Sequence, residues 1–399
     1  MKPIPLLRRC VGLAVVLFAA PTGWAAEKSL NPAYVGQIFG LTKLHRIEIV
    51  VPAASLFRFQ DRNAARVRGT ISFDGTVLHD IGVRQQGGTF LPYVGINGKP
   101  SLSLKFNEFT PGQELFGLKK LILKNQAQDR SLVNEHLTYE VFLRAGYPAP
   151  LTSFAQVKLN GIDQGIYLLR KPINQQFLAR HFGKDRSKGN LYEIVQDIDP
   201  VRFPERLDLK DEQEEKRSRN DVRSLAVAAR SATPETFAKV IAPHLDPDRF
   251  ITYFALETAT SHADGYANNT NNTYLYHVPI DDRFIFLPQG ADQSFWAAAK
   301  PKRIYAPGQL RTAGSLARQV LDSPELRKKF DAELHRVGHA PVWDKDALLA
   351  RVAEVERLLG SATPSARVTS DIAKFQRLRP VIEAFINNGG TTGGTANLP

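Results

Sequence analysis

Cysteine and methionine are almost missing from this chain: Cys10 and Met1 are the only examples in 399 residues. Beyond residue 10 the chain therefore has no disulfide, no thiolate metal site and no cysteine nucleophile, and a buried core must hold the fold. Glycine (28) and proline (25) are too few for a collagen-like or low-complexity chain. Acidic charge is in deficit, with 52 Lys+Arg against 40 Asp+Glu and a formal net charge of +12. Such a surplus attracts anions of many kinds, from nucleotides to phosphorylated polymers and acidic peptides, and charge alone does not choose among them. Long apolar runs are also lacking. The longest, Val11 to Ala20, is too short to span a bilayer, so no membrane span is expected.

That run has the marks of an export signal. Lys2, Arg8 and Arg9 precede it, and Gly23-Trp24-Ala25 supplies small residues two apart, so cleavage is expected near Ala25. Loss of those three cations would leave the mature chain at +9. The expected location is secreted or periplasmic.

With 43% hydrophobic and 23% charged residues, the remainder has the composition of a folded protein, and its length suggests two domains or lobes. Residues 26–44 read as a loose leader. From 45 to 124 the pattern favours strands: 67–73 and 77–83 flank Asp74-Gly75, and 101–106 and 118–124 follow. Ser131 to Ala145 reads as a helix, stopped by Gly146, with Glu135, Tyr139 and Phe142 on one stripe. A second hairpin, 154–159 and 164–169, turns on Asn160-Gly161. After Pro172 helices dominate, interrupted by strands at 189–194, 273–278 and 284–287. A strand-rich front followed by a helix-rich back predicts α+β or two lobes.

Four places hold polar residues that an ordinary core does not need. Lys105 lies on the strand face opposite Leu102, Leu104 and Phe106. Glu135 sits on an apolar helical stripe and must find a partner, for which Lys105 is a candidate. The 261–273 loop carries Asp264 and four asparagines, and such links between well-patterned elements often hold active sites. The apolar strand 284–287 delivers Asp292 just past its end, a natural place for a hard metal ion. Together a lysine, a helical glutamate, an Asp/Asn loop and a later Asp form the set used for phosphoryl transfer from a nucleotide. His335 and His339 have metal-ligand spacing, but no glutamate of a H-E-x-x-H motif accompanies them, and a structural pair is expected.

At these residues the chain resembles the CotH kinase-like proteins, secreted atypical kinases. The resemblance runs from about Ile47 to Arg336. Its carriers include Ile81-Gly-Val-Arg-Gln-Gln-Gly87, Lys99 to Phe106, Asp129-Arg-Ser-Leu-Val-Asn-Glu135, Gly165 to Leu169, Asp264-Gly-Tyr266, Asn272 to Tyr276 and Asp292-Gln-Ser-Phe295. It implies an α+β, two-lobed protein-kinase-like fold with a strand-rich N-lobe (46–170) and a helix-rich C-lobe (171–388). A signal peptide (1–25) and leader (26–45) precede them, and a flexible tail (389–399) follows. It implies ATP and Mg²⁺, with Mn²⁺ as a substitute, and an exported or cell-surface protein as substrate, with no nucleic-acid partner. Carried over by residue, Lys105 resembles the phosphate-pairing lysine, Glu135 its helix partner, Asp264 the catalytic-loop Asp, and Asn272 and Asp292 the metal ligands. Arg84 and Gly87 would lie over the phosphates, and Leu169 would lead into the hinge bordering the adenine.

Departures from the family pattern are visible. Arg170-Lys171 stands where a Glu is usual, and Gly290-Ala-Asp292 stands where many members have Asp-x-Asp. No G-x-G-x-x-G loop occurs, and Asp264 and Asn272 are eight apart. The expected function is an exported ATP-dependent kinase acting on Ser/Thr. The alternatives are a non-catalytic, pseudokinase-like envelope protein that binds or assembles partners, or a kinase-fold enzyme that transfers AMP or glutamate.

Overall fold

The computed structural model describes residues 33–60, 65–86, 95–195, 197–210, 218–295 and 314–390. The expected signal peptide lies outside the described residues, as does nearly all of the expected tail.

Alternation of apolar and polar side chains shapes the front half. Seven strands, β1 (His45–Val50), β2 (Val67–Phe73), β3 (Thr76–Gln86), β4 (Ser101–Lys105), β5 (Lys120–Lys124), β6 (Thr152–Leu159) and β7 (Ile162–Arg170), close into a barrel in the order β1-β2-β3-β4-β5-β7-β6. Neighbours run antiparallel except β1 and β6, which are parallel. Ile47, Ile49, Leu102, Leu104, Leu121 and Leu123 point inward, every second residue on their strands, as a half-buried strand requires. The β2–β3 and β6–β7 hairpins turn on Asp74-Gly75 and Asn160-Gly161, all four with positive φ, as the twist-matched two-residue turn demands. Closure of the strands into a barrel goes beyond the expected strand-rich segment, and it leaves no sheet edge to protect.

The loose leader expected over 26–44 is corrected in its second half. Helix α1 (Ala33–Gln37) and the residues after it bury Tyr34, Ile38 and Phe39 in the barrel core. A five-residue helix is too short to show a hydrophobic period, so the sequence pattern gave no sign of it.

Helix α2 (Asn134–Arg144) connects β5 to β6. Beyond β7 come α3 (Gln175–Phe182), β8 (Leu191–Ile194), β9 (Asp208–Leu209), α4 (Asn220–Ser231), α5 (Phe237–Ile241), α6 (Pro247–Ala259) and α7 (Tyr266–Asn269). Then follow β10 (Thr273–Val278), β11 (Arg283–Pro288), α8 (Ser315–Asp322), α9 (Pro324–Val337), α10 (Lys345–Leu359) and α11 (Ala366–Asn387). Strands β8 to β11 form a second, antiparallel sheet in the order β11-β10-β8-β9. The fold is mixed α+β. Side-chain caps start several helices: Asn174, Asp246, Asp344 and Ser365 each accept a backbone N–H of the first turn.

A second, larger core lies outside the barrel. It joins Phe154, Ile166 and Leu168, on the outer face of β6 and β7, to Leu137 and Phe142 of α2 and to Tyr253 and Phe286 of the helical half. Helix α2 thus packs between barrel wall and helices. Helix α11 returns to the barrel, where Asp371 accepts Ile166 N–H (3.0 Å) and Lys99 Nζ (2.7 Å).

Because Tyr34 is buried in the barrel core, Tyr34→Ala should destabilise the protein by about 3 kcal/mol, against less than about 0.5 kcal/mol for the exposed hairpin change Val77→Ala. Urea unfolding of the two variants measures this difference, and equal midpoints would show that α1 is not part of the barrel core.

Candidate active site

Two loops meet at the end of the second sheet. The first runs from α6 to β10 and holds Asp264; the second follows β11 and holds Asp292. Backbone bonds join them: Ala263 N–H to Gln293 O (3.0 Å), Gln289 N–H to Asn272 O (3.1 Å) and Phe295 N–H to Thr260 O (2.8 Å). Asp264 stays partly exposed while four side-chain amides converge on it. Asn269 (2.6 Å) and Asn271 (3.1 Å) donate to Oδ1, and Asn272 (2.7 Å) and Gln293 (3.3 Å) to Oδ2. The asparagine-rich stretch is therefore a cradle for one carboxylate. Asn272 gives its amide hydrogens to Asp264, so its Oδ1 faces the other way, toward Gly290. A Cβ at Gly290 would lie 2.6 Å from that oxygen.

Buried Glu257 fixes the loop from below, accepting Tyr253 O–H (2.6 Å), Tyr266 N–H (2.9 Å) and Ala267 N–H (3.0 Å). Ser261, Thr270, Asn272 and Phe295 all have φ between 45° and 56°. Left-handed backbone at β-branched Thr270 and bulky Phe295 costs on the order of 1–2 kcal/mol each, and such strain concentrates where a site must be held in one geometry.

Asp292 is buried and lies 3.4 Å from Lys124 Nζ, at the end of β5. Burial raises the Asp292 carboxyl above the usual range, with Lys124 pulling it back. Glu135, fully buried on α2, accepts Arg170 Nη1 (2.7 Å) and Tyr139 O–H (2.8 Å) on Oε1. Burial would raise its pKa, but Arg170 and then Lys124 outweigh this and hold the carboxyl below its ordinary value. Its Oε2 is buried without a hydrogen-bond partner. Asp129 caps the start of α2, accepting Ser131 Oγ (2.5 Å) and Asn134 N–H (2.8 Å). Burial still pushes its carboxyl up to about 7, and the neighbouring Asp292 charge adds to the rise.

The structure brings Asp264, Asn272, Asp292 and Glu135 into one neighbourhood, but Lys105 is not the partner of Glu135. Lys105 pairs with Glu108 (2.9 Å), and Arg170 takes the place expected of it. The reason is position: Lys105 ends β4 opposite Lys120, at the far end of β5 from Lys124. In the sequence Arg170 reads as a departure at the hinge, and Lys124 belongs to no motif. The alternation in Lys120-Leu-Ile-Leu-Lys124 turns Lys124 away from the barrel core, but the pairing with β7, where Ile122 faces Arg170, is visible only in the structure.

Lys105 and Arg84 belong instead to a cationic patch on the outer barrel wall. Arg84 lies across from Ser103, whose backbone oxygen takes Arg66 Nη1 at 2.7 Å. Burial, then Arg66, Arg84, Lys105 and Lys210, lower Lys120 to about 8. Leu169, expected near the adenine, turns its side chain into the barrel core. Gly87 lies outside the described residues.

A family model described as CotH kinase protein matches residues 83–388. This chain belongs to the CotH kinase family. The match takes in every site residue named above except Arg66, and it runs past Arg336, where the recognisable motifs end, to the close of α11. Inner spore coat protein H of Bacillus subtilis (strain 168) is 23% identical over 286 residues, 68% of this chain and 76% of that one. The inner spore coat protein H-like protein of the same organism is 26% identical over 227 residues, covering 56% and 63%. The Helicobacter pylori proinflammatory kinase CtkA overlaps 74% of this chain and 92% of its own, at 10% identity and a TM-score of 0.32, too low for a shared fold to follow. No described helix is long and apolar enough to cross a membrane.

Arg170→Ala would strand Glu135 as a buried charge and should destabilise the protein by about 3–5 kcal/mol, whereas Arg170→Met with Glu135→Leu should recover most of that. Chemical denaturation of single and double variants measures the coupling, and additive losses would show that the two side chains do not act as a pair.

Proposed function

We propose that this CotH-family chain is an exported kinase that uses Mg²⁺-ATP to phosphorylate Ser or Thr of a secreted or surface protein. In this reading 46–170 and 171–388 are the two lobes of a kinase-like fold, and residues 1–25 direct export. The observation that carries the reading is the opposition of charge: Asp264, Asn272 and Asp292 on two cross-bonded loops, against Lys124, 3.4 Å from Asp292 at the end of β5. A triphosphate with its metal ion is complementary to both sides at once.

The donor set fits magnesium. Asp292 is a buried carboxylate with Lys124 no nearer than 3.4 Å, and Asn272 keeps its oxygen free of Asp264. Both are hard oxygen ligands, as Mg²⁺ prefers, and one carboxylate plus an amide is a normal protein share when phosphates complete the shell. Among the described residues no cluster of three His, Cys, Asp or Glu could hold a metal, so the ion would be shared with the nucleotide. Held by Asp292 and Asn272, such an ion would supply charge neutralisation to the nucleotide's phosphates.

The chain's own groups do the rest. Lys124 leaves Asp292 for the phosphates, and the unpartnered Glu135 Oε2 is the acceptor that orients it there. Asp264 orients the acceptor hydroxyl and takes its proton as the oxygen bonds to the γ-phosphorus. The bond from that phosphorus to the bridging oxygen breaks, and ADP leaves with the electron pair.

ATP with Mg²⁺ should raise the melting temperature of the wild type and of Asp264→Asn, but not of Asp292→Asn. Asp264→Asn should lower turnover by about 10²–10⁴-fold. Lys124→Ala should weaken ATP binding more than Lys105→Ala. Intact-mass measurement of candidate acceptors distinguishes phosphate from AMP or glutamate transfer. Absence of any thermal shift or adduct would favour a non-catalytic envelope protein.

A further inference from the structure

Beside Asp264 two hollows, of about 550 and 350 Å³, run side by side along α11 and share Ala127 and Arg130. They form one furrow. Its near end is apolar: Phe295 and Ile382 form the floor, with Leu378 and Val381 half-exposed on the wall. It opens at Gln293, whose amide touches Asp264. Its far end is cationic, lined by Lys99, Arg130, Lys374 and Arg377 against one carboxylate, Asp371. That carboxylate is already engaged by Lys99, Ile166 N–H and Lys374 (3.5 Å). Arg130 and Arg377 are exposed and have no acidic partner among the described residues.

We propose that this furrow docks an acidic segment of the protein acceptor, with an apolar residue seated on Leu378 and Val381 and carboxylates on Arg130 and Arg377. The proposal deepens the kinase reading and rests on it for the identity of the acceptor. Charge complementarity selects the occupant. The stretches that adjoin the furrow in sequence, 87–94 and 296–313, contain no acidic residue, and the second carries Lys300, Lys302, Arg303 and Arg311. The second would be repelled by the far end, and the first has no charge to pair with it. The helix also sets the spacing. Lys374 and Ile382 are eight residues apart, about 12 Å along the axis, which is three to four residues of extended peptide. The furrow therefore spans three to four residues of peptide, so acidic residues should fall within that distance of the apolar one, and the apolar one next to the phosphorylated hydroxyl.

Fluorescence anisotropy with the mature chain, in the absence of nucleotide, tests this directly. The probe is a labelled twelve-residue peptide, Ser-Leu followed three residues on by Glu-Asp-Glu, with a Lys-Arg-Lys version as control. The acidic peptide should bind at least about tenfold tighter, with affinity falling as salt rises. The double change Arg130→Glu with Arg377→Glu should remove the preference, and Leu378→Glu should weaken binding at unchanged melting temperature. Equal binding of both peptides, indifference to the charge reversal, or displacement of the peptide by ATP would overturn the proposal. Loss of the Mg²⁺-ATP thermal shift with peptide binding intact would instead count against the kinase reading alone.

Discussion

Glu135 is a carboxylate with no access to water, and the site depends on how its charge is met. A lone ionised group in that position would cost several kcal/mol, and Arg170 at 2.7 Å removes most of that penalty. The pair ties α2 to the last residue of β7, and Tyr139 adds a second bond from one turn along the helix. Because Arg170 satisfies Oε1, Lys124 is left for Asp292. The buried charges do not balance. Lys124 and Arg170 face Glu135, Asp292 and Asp129; burial raises the Asp129 and Asp292 carboxyls, and a neighbouring carboxylate, Asp292 for the first and Glu135 for the second, adds to each rise. An additional cation at Asp292, such as the ion proposed above, would relieve the imbalance.

The catalytic-loop candidate follows a different logic. Asp264 is surrounded by amides rather than cations, and amides orient a carboxylate without cancelling its charge. Asparagine serves twice here, since it also tolerates the left-handed backbone that Asn272 adopts. The strain at Thr270 and Phe295 has no such excuse in side-chain chemistry, and it is sustained by the bonds between the two loops.

Much of this was legible from the residues. Both hairpins follow from Asp-Gly and Asn-Gly turns, and the helix bearing Glu135 from its apolar stripe, because these signals are local. Asp264, Asn272 and Asp292 were found through motif order, and they lie together. The Glu135 partner was not legible. Lys105 ends β4 opposite Lys120, far from Lys124, while Arg170 ends β7 opposite Ile122, and only strand register sets these places. Barrel closure was hidden for the same reason: the parallel pairing of β1 with β6 joins segments more than a hundred residues apart.

Helix α11 shows how a distant element enters this arrangement. A register shift in the β6–β7 pairing falls beside Gly165, whose φ of +78° kinks β7. Asp371 takes the N–H of the next residue, Ile166, and a Cβ on Gly165 would collide with that carboxylate. The kink and the helix thus require each other. Arg170 lies four residues beyond Ile166 on the same strand and the same face, so the register that delivers it to Glu135 is set in part from the C-terminal helix. This gives a physical reason for the family match to extend through α11, well past the last residue that any motif of the site would recognise.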